Sequence, residues 1–336
     1  MGDKLTLTIK EVAELLFKFV SNDLPLVAIG FGKIGQGLFL SINTSTIKHS
    51  CSQNVMYRFN GKEMTLGAIA NIESFSDVRM AYTPNYHEDT KSRRKYLEER
   101  YFFTCHCSLC DDEKLGPAES SMYCPKCEGG CIPISQLVCQ DCNFKATRRM
   151  LEKYQEIKAK LVLPETLNFV RTSQPDSTLA NLEKYEEWFI EALDVIHPLD
   201  CSFYKLRRMA KFSICGSFEA TSDSRFNFDD ATERNLILLL KIAQHSVIAC
   251  RARLAPFHTD IALNEYDVAF LYAYLGEIDK ANEAFKRYLD IMTECFKKRE
   301  DLPLCYIETE MRMVQFESAK MKEDLSDLFQ NLSTME

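Results

Sequence analysis

The chain has 336 residues, which is enough for two or three domains. Its composition, with 46% hydrophobic and 27% charged residues, is typical of a globular protein. A formal net charge of −8 argues against a general nucleic-acid binder, and no apolar run is long enough for a membrane span. No segment has the pattern of a secretion signal, so the fourteen cysteines predict metal or structural thiols in the reducing cytoplasm or nucleus.

The first part of the chain is predicted to change from helix to strand. Residues 5–20 carry apolar side chains, among them Ile9 and Val12, at the spacing of an amphipathic helix. The following "GFGKIG" matches a dinucleotide-binding motif, but the next residues are poor helix formers, so we interpret it as a structural loop. Asn60-Gly61 predicts a hairpin, because type I′ turns favour this pair at their centre. "DVRMAYT" predicts a further strand.

Helical patterns dominate from about residue 147 onward. The predicted helices are 147–160, 178–196, 202–216, 231–252, 260–275, 278–298 and 303–328. The spacing of Gly276, Ala281 and Phe285 matches a tetratricopeptide helix pair, which predicts an all-α, tetratricopeptide-like domain. We interpret the earlier basic stretch "KSRRKY" as the solvated face of a helix.

Three cysteines in "CHCSLC" are close enough in sequence to share one metal ion. A structural zinc site has four nitrogen or sulfur ligands, so Cys105, Cys107 and Cys110 need a fourth partner. The backbone is expected to point His106, between two of these cysteines, away from the ion. Cys51, in "IKHSCSQN", is one candidate for the fourth ligand, and an ordinary core thiol is the alternative interpretation of this residue.

A second group of cysteines has the spacing of a zinc ribbon, two C-x-x-C pairs separated by eleven residues. These predicted ligands are Cys124, Cys127, Cys139 and Cys142. Cys131 is additional, either a spare ligand or a free thiol. We predict that the five cysteines of the helical part are small core residues: Cys201, Cys215, Cys250, Cys295 and Cys305.

Residues 5–115 resemble the SET and MYND domain protein-lysine methyltransferases. The resemblance is carried by "GLFLS", "IKHSCSQNVMYRFNGKEMTLGAIANI", "DVRMAYTPNY" and "RRKYLEERYFFTCHCSLC", in this order and spacing. The C-x-x-C pairs and the helical tail resemble the subclass named as the fourth member of that family. This resemblance implies an α+β fold with four parts: a partial SET β-fold (1–100), a post-SET zinc segment (101–115), a zinc-ribbon insert (116–146) and a helical domain (147–336).

The resemblance also implies roles for individual residues. The family's Asn-His-Ser-Cys motif falls on Lys48, His49 and Cys51. Its first two residues contact S-adenosylmethionine, and its cysteine joins the three post-SET cysteines around zinc. The aromatic residue that covers the adenine falls on Phe103. The tyrosine that borders the lysine channel and the methyl-transfer site falls on Tyr82.

The implied function is S-adenosylmethionine-dependent methylation of a lysine in a protein or peptide, such as a histone or a chaperone-type partner. No nucleic acid or membrane is expected as a partner. Lys48 stands where the family has Asn, and the family's Gly-x-Gly cofactor loop and its MYND zinc module would lie before Met1. We therefore expect a truncated or degenerate enzyme with weak or no cofactor binding. The alternative function is a non-catalytic, zinc-stabilised scaffold whose helical tail binds protein partners.

Overall fold

Short β-strands form much of the first half of the protein and α-helices form the second half in the computed structural model. The described residues are 8–12, 14, 23–30, 33–40, 44–60, 63–83, 86–161, 187–207 and 233–296. This mixture of helix and sheet agrees with the predicted α+β class. The helix predicted at 303–328, together with Cys215 and Cys305, lies outside the described residues.

A short helical segment begins after Thr8. The N–H of Glu11 donates to Thr8 Oγ1 at 3.3 Å, and the N–H of Thr8 donates to a carboxylate oxygen of Glu11 at 2.8 Å, which is a reciprocal capping box. Residues 9–12 are helical as predicted. However, Ile9 and Val12 are 91% and 41% exposed, so the predicted apolar face is not buried at these positions.

The glycine-rich segment forms a β-hairpin. Strand β1 (Asp23–Gly30) runs antiparallel to strand β2 (Lys33–Leu40), and Gly30 pairs with Lys33. A dinucleotide site would need a helix directly after its glycines, whereas here a second strand follows. The segment is therefore structural rather than a dinucleotide site, but the expected loop is wrong for Gly30 and residues 33–35, which lie in the two strands.

Two very short strands lie side by side next to the first cysteine. Strand β3 (Lys48–His49) pairs in parallel with strand β6 (Arg79–Met80), and His49 lies opposite Met80 in this register. The N–H of Ser50 donates to the carbonyl of Met80 at 3.1 Å and extends the contact by one residue. The strand predicted in "DVRMAYT" thus exists, but only two of its residues pair.

The second hairpin lies between these two short strands in sequence. Strands β4 (Val55–Asn60) and β5 (Glu63–Ala68) are antiparallel, and Asn60 pairs with Glu63. The predicted hairpin is confirmed. Asn60 was expected in the turn, but it is part of the strand ladder.

Helix α1 (Thr90–Tyr101) leads to the three clustered cysteines. It begins after Asp89, whose carboxylate accepts the N–H of Ser92 at 2.8 Å, and it ends at Phe102, whose φ of 60° is left-handed. The interpretation of "KSRRKY" as a solvated helix face is wrong for Arg93, which is 0% exposed. Its burial has a specific cause, an ion pair that is described below.

A small two-stranded ribbon contains the second group of cysteines. Helix α2 (Leu115–Ala118) precedes strand β7 (Ser121–Tyr123), which runs antiparallel to strand β8 (Cys131–Pro133). Farther along, Val138 and Lys145 form an antiparallel bridge. Each C-x-x-C pair therefore lies in the connection between two paired segments.

Helices account for most of the rest of the described chain. Helix α3 (Arg148–Lys160) is followed by helical residues 187–195 and 202–207, and then by α4 (Glu233–Arg253), α5 (Thr259–Tyr274) and α6 (Ile278–Phe296). Six of the seven predicted helices are thus confirmed where they are described. None of the helices in the described ranges is both long and apolar enough to cross a membrane.

Helices α5 and α6 form the pair predicted from the tetratricopeptide-like spacing. Gly276 lies between them with a φ of 77°, which glycine adopts at little cost, and Ala281 and Phe285 are fully buried. A repeated array of such pairs remains a prediction. Cys250 and Cys295 are buried as predicted, whereas Cys201 is only partly buried.

The helices pack against the ribbon and against the β4–β5 hairpin. Met122 and Ile132 of the ribbon share one buried core with Tyr154 and Phe189 of the helical part. At the β4–β5 hairpin, Ile69 packs in a cluster that also contains Cys295 of α6, and the carbonyl of Ile69 accepts the N–H of Phe257 at 3.2 Å. These contacts support the hairpin and the ribbon from one side. The predicted domain boundaries remain a prediction.

Candidate functional site

Two groups of four cysteines come together in the part of the chain that the structure describes. Within each group all sulfur atoms lie within 4.8 Å of one another. The first group is Cys51, Cys105, Cys107 and Cys110, and the second is Cys124, Cys127, Cys139 and Cys142. They are the eight residues predicted as metal ligands. His106 belongs to neither group, and its side chain is exposed, as predicted.

The first group joins residues that are far apart in sequence. Cys51 follows strand β3, whereas Cys110 follows α1, and their sulfur atoms lie 3.6 Å apart. Tetrahedral zinc with Zn–S bonds of about 2.3 Å separates its sulfur ligands by about 3.8 Å, whereas a disulfide would need about 2.05 Å. All four cysteines are free. The arrangement therefore fits zinc, and Cys51 is not an isolated core thiol.

The second group is built from two tight turns. Its sulfur atoms form two close pairs, Cys124 with Cys142 and Cys127 with Cys139, each at 3.6 Å. The N–H groups of Lys126 and Asp141 donate to Cys124 and Cys139, both at 3.4 Å. Backbone donors aimed at sulfur stabilise thiolates, so this group also fits a zinc ion.

Gly130 lies directly against the second group. A methyl group at this position would come within 2.3 Å of Cys127 Sγ and 3.0 Å of Cys139 Sγ. Only a residue without a side chain fits so close to these sulfur atoms. The neighbouring Cys131 is buried outside the group of four, and burial raises the pKa of its thiol to about 11.

A buried ion pair adjoins the first group. Arg93, from α1, forms a salt bridge of 3.0 Å with Glu119 at the end of α2, and its guanidinium also approaches Cys110 Sγ at 3.7 Å. The carboxylate of Glu119 accepts the N–H of Thr90 at 2.7 Å. Burial alone would lower the pKa of Arg93, but Glu119 and Cys110 more than offset this and raise it. The cation therefore links the first cysteine group to the ribbon.

The neighbouring Arg94 supports the backbone of the same group. Its Nε donates to the carbonyl of Cys105 at 2.9 Å and its Nη2 to the carbonyl of Cys110 at 3.3 Å. Helix α1 thus contributes two consecutive arginines to the loop that carries three of the four sulfur atoms. The loop is therefore stabilised by hydrogen bonds from Arg94 to its backbone, in addition to the contacts among its cysteines.

Three of the four residues predicted around the cofactor lie beside this first group. The ring of His49 is 5.1 Å from that of Tyr82 and 5.7 Å from that of Phe103, measured between ring centroids. Tyr82 and Phe103 make an edge-to-face contact at 6.5 Å. Tyr101 adds a fourth ring, 5.0 Å from Tyr82. The result is an aromatic cluster next to Cys51.

The hydroxyl group of Tyr82 is fixed in direction. It donates a hydrogen bond to the carbonyl of Ile47, so the lone pairs on its oxygen are left as acceptors. Burial, and secondarily the neighbouring Tyr101, raise the pKa of Tyr82 above its usual value. The phenol is therefore neutral at physiological pH, and its oxygen is available as a hydrogen-bond acceptor.

The structure does not bring Lys48 into the aromatic cluster. Its side chain is exposed, while that of His49, the next residue of the strand, is half-buried. Successive side chains of a strand point to opposite faces, which explains the difference. Lys48 and His49 were both predicted to contact the cofactor, but their side chains lie on opposite faces of β3.

Sequence reasoning missed two residues of this region. Arg93 was hidden in a basic run whose spacing gave no sign of a buried partner. Tyr101 donates from its hydroxyl to the carbonyl of Tyr82 at 3.4 Å, and it ends α1 two residues before Phe103. The one signal for Tyr101 in the sequence was its position two residues before Phe103, which was predicted to cover the cofactor.

Comparison with known proteins identifies relatives of part of the chain. Histone-lysine N-methyltransferase SMYD3 of Homo sapiens is 29% identical over 103 residues, 31% of this chain and 23% of that protein. Histone-lysine N-methyltransferase ASHR1 of Arabidopsis thaliana is 32% identical over 104 residues, 31% of this chain and 21% of that protein. N-lysine methyltransferase SMYD2-A of Xenopus laevis is 28% identical over 110 residues, 32% of this chain and 25% of that protein.

The similarity is partial on both sides. The aligned segment spans a quarter or less of the length of these relatives. No model of a known protein family matches the chain. Over about a third of its length, the chain is related to the SET and MYND domain family of methyltransferases.

Proposed function

We propose that each cysteine group binds one structural zinc ion. Four sulfur atoms within 4.8 Å of one another, without a disulfide, support this assignment in both groups. All-cysteine sites with four ligands leave no open position for a substrate, so these ions stabilise structure and take no part in chemistry. The first ion would hold the segment after α1 against the segment after β3.

We further propose that the chain contains part of the site of a SET-type protein-lysine methyltransferase. The observation that carries this proposal is the contact of His49, Tyr82 and Phe103 beside Cys51. These residues come from three separate segments of the chain, and each occupies a position at which the family has a cofactor or channel residue. The names of the relatives, all lysine methyltransferases, support the same class of reaction.

The proposed role of Tyr82 follows from its hydrogen bonds. S-adenosylmethionine supplies an electrophilic methyl group on a sulfonium, and an amine nitrogen must approach that carbon in line. The neutral Tyr82 hydroxyl, which donates to Ile47, has lone pairs that accept an N–H of the substrate amine. It would orient the nitrogen lone pair toward the methyl group without taking the proton itself. The surrounding rings of Tyr101 and Phe103 would exclude water.

The proposed substrate is a lysine side chain of a protein or peptide. Two of the relatives named above are histone-lysine methyltransferases, and a basic histone tail would be attracted by the net charge of −8 on this chain. A chaperone-type partner is a further proposal. A nuclear or cytoplasmic location, without a nucleic-acid or membrane partner, stays a prediction.

The second candidate function is a zinc-stabilised scaffold that binds protein partners through its helices. The observation in its favour is Lys48, an exposed cation where the family has Asn. This side chain does not supply the hydrogen bonds of an amide, and it lies outside the aromatic cluster. In this function the two zinc sites and the helices would support a binding surface, and Tyr82 would be an ordinary core tyrosine.

One set of measurements separates the two functions. Calorimetric titration with S-adenosylmethionine and a radiolabelled methyl-transfer assay on histone peptides should be applied to the wild type and to Tyr82→Phe. We expect weak cofactor binding, about millimolar, by both proteins, with transfer lower in Tyr82→Phe by on the order of tenfold or more, because the orienting acceptor is lost. Tyr123→Phe, in the ribbon, is the matched control and should transfer at the wild-type rate.

Lys48→Asn tests the exposed cation in the same assays. An exposed charge contributes less than about 1 kcal/mol, so cofactor affinity should rise by no more than about fivefold. Absence of both binding and transfer in the wild type and in Lys48→Asn would favour the scaffold function. A wild-type level of transfer by Tyr82→Phe would contradict the proposed role of the hydroxyl.

A further inference from the structure

The imidazole of His49 uses both of its nitrogen atoms within the protein. Its Nδ1 accepts the backbone N–H of Tyr82 at 3.0 Å. Its Nε2 lies 3.2 Å from Cys51 Sγ. The ring therefore bridges one sulfur atom of the first cysteine group and the backbone of the proposed methyl-transfer residue.

These two contacts determine where the proton of the imidazole lies. A backbone N–H is always a donor, so Nδ1 has no proton of its own, and a neutral imidazole then carries its proton on Nε2. This proton points at Cys51 Sγ, which must be the acceptor. A metal-bound thiolate is a good acceptor of such a bond, and the ring of a histidine beside a metal site is often oriented in this way.

Tyr82 forms hydrogen bonds to the β3 segment through its hydroxyl as well as through its backbone N–H. Its hydroxyl donates to the carbonyl of Ile47, just before β3, and its N–H donates to His49, the last residue of β3. Its carbonyl accepts a long hydrogen bond of 3.4 Å from Tyr101. Of these partners, His49 alone also contacts the first cysteine group through a described hydrogen bond. It is therefore the direct route from the metal site to Tyr82.

We propose that His49 is a positioning residue that couples the first metal site to Tyr82, so that Cys51 as a thiolate fixes the ring and the ring fixes the Tyr82 backbone. This inference rests on the proposed zinc site and on the proposed role of Tyr82. It differs from the family expectation for this position, because both ring nitrogens are occupied. Any contact of His49 with the cofactor is then made by its backbone or by the face of its ring.

Two variants of His49 separate the two halves of this coupling in the whole 336-residue chain. In His49→Asn, the side-chain oxygen lies near the position of Nδ1 and still accepts the Tyr82 N–H, but nothing reaches Cys51. In His49→Gln, the longer amide reaches the position of Nε2 and donates to Cys51, but the acceptor for Tyr82 is lost. Each variant keeps one contact and removes the other.

The readouts are the rate of zinc transfer to a chromogenic chelator and the hydrogen exchange rate of the Tyr82 amide. Loss of an outer hydrogen bond to a metal ligand typically weakens metal binding by about 10–100-fold. His49→Asn should therefore lose the first zinc about tenfold faster or more, with the Tyr82 amide protected as in the wild type. His49→Gln should retain zinc like the wild type, with Tyr82 exchanging at least about tenfold faster. Zinc release from two sites gives two kinetic phases. The Cys142→Ser variant lacks one ligand of the second site, so the phase that it leaves unchanged belongs to the first site.

The proposal is overturned if neither variant changes its assigned readout, or if both readouts change equally in the two variants. Should the variants fail to fold, long-range proton–nitrogen NMR of the wild type decides, because a proton on Nδ1 of His49 contradicts the coupling and a proton on Nε2 supports it. A protein that gives the expected readouts but transfers no methyl group would refute the proposed function and leave this coupling intact.

Discussion

The two cysteine groups hold their sulfur atoms in similar geometry but are built in opposite ways. The first draws Cys51 from the segment after β3 and three cysteines from beyond α1, and three of its four members are buried. The second lies entirely within residues 124–142, and Cys142 is exposed. The first is surrounded by side chains from other elements, whereas the second relies on backbone N–H groups of its own turns.

This difference shows what each metal ion can stabilise. An ion that joins distant segments closes a long loop and restricts the unfolded chain more than an ion within one short turn. It also positions whatever is attached to those segments, here His49, Tyr82 and Phe103. The ion of the second group organises mainly the ribbon itself. We therefore expect the same chemical change to have unequal effects at the two sites.

The largest difference is expected between Cys51→Ser and Cys142→Ser. Structural zinc contributes apparent binding free energies on the order of 10–16 kcal/mol in isolated fingers, and at the first site this free energy supports the long-range fold. Cys51→Ser should unfold the β-rich part, which circular dichroism and thermal melting would report. Cys142→Ser should keep a cooperative transition, with changes confined to the ribbon. Equal loss of stability in the two variants would contradict the comparison.

The ion pair beside the first group should give the next largest effect. Arg93→Met leaves the buried carboxylate of Glu119 without its partner, and breaking a buried pair costs about 3–5 kcal/mol. Adding Glu119→Gln to Arg93→Met should recover part of this loss, because no charge is then left buried. The matched control is Arg148→Met, which breaks an exposed pair with Glu152 and should leave urea unfolding unchanged. A neutral result for Arg93→Met would show that the pair does not link the two regions.

A corresponding test for the second group is Gly130→Ala. The added methyl group would meet Cys127 Sγ at 2.3 Å, and overpacking of this kind costs up to about 3 kcal/mol. Zinc should be released faster from the second site only. Gly116→Ala is the control, because a methyl group there meets no atom within 4 Å. Release of both ions at the wild-type rate would show that the ribbon relaxes around the new methyl group.

The smallest effect depends on pH and concerns the packing of the ribbon on α4. Burial lowers the pKa of His245 to about 4, below the ordinary histidine value of about 6.5. The unfolded chain therefore binds a proton first as the pH falls, so the contribution of His245 is present above pH 6.5 and is lost between about pH 6.5 and 4. It amounts to about 2 kcal/mol between pH 6.5 and 5.

Urea unfolding at a series of pH values measures this contribution. His245→Gln should show a shallower loss of stability in acid than the wild type, because the glutamine does not titrate. Zinc ligands and carboxylates titrate in both proteins, so the difference between the two curves isolates His245. Identical slopes for the two proteins would contradict the lowered pKa.

Local features of this protein were predictable from sequence, and long-range ones were predictable only by resemblance. The ribbon cysteines follow from spacing, because two C-x-x-C turns define a site within one short segment. The helices from α3 to α6 follow from apolar periodicity. Cys51 had two interpretations until the resemblance was considered, since no local rule connects it with residues more than fifty positions away.

The wrong or incomplete predictions have identifiable physical causes. Arg93 was assigned to a solvated face because charge patterning cannot reveal a buried partner on another element. Asn60 was assigned to the turn although it pairs in β4, because the same Asn-Gly pair allows two registers. The contact of Lys48 and His49 with one cofactor stays a prediction, but their side chains differ in exposure. The alternation of side chains along β3, visible only once the strand is defined, places them on opposite faces.

The most direct test of this account is the number of zinc ions bound to the chain. Native mass spectrometry of the purified wild type should show two zinc ions, and Cys51→Ser should show one. This result would establish that Cys51 completes the first site and that the two groups bind metal independently. A wild type with one zinc ion, or a Cys51→Ser variant that retains two, would contradict the account.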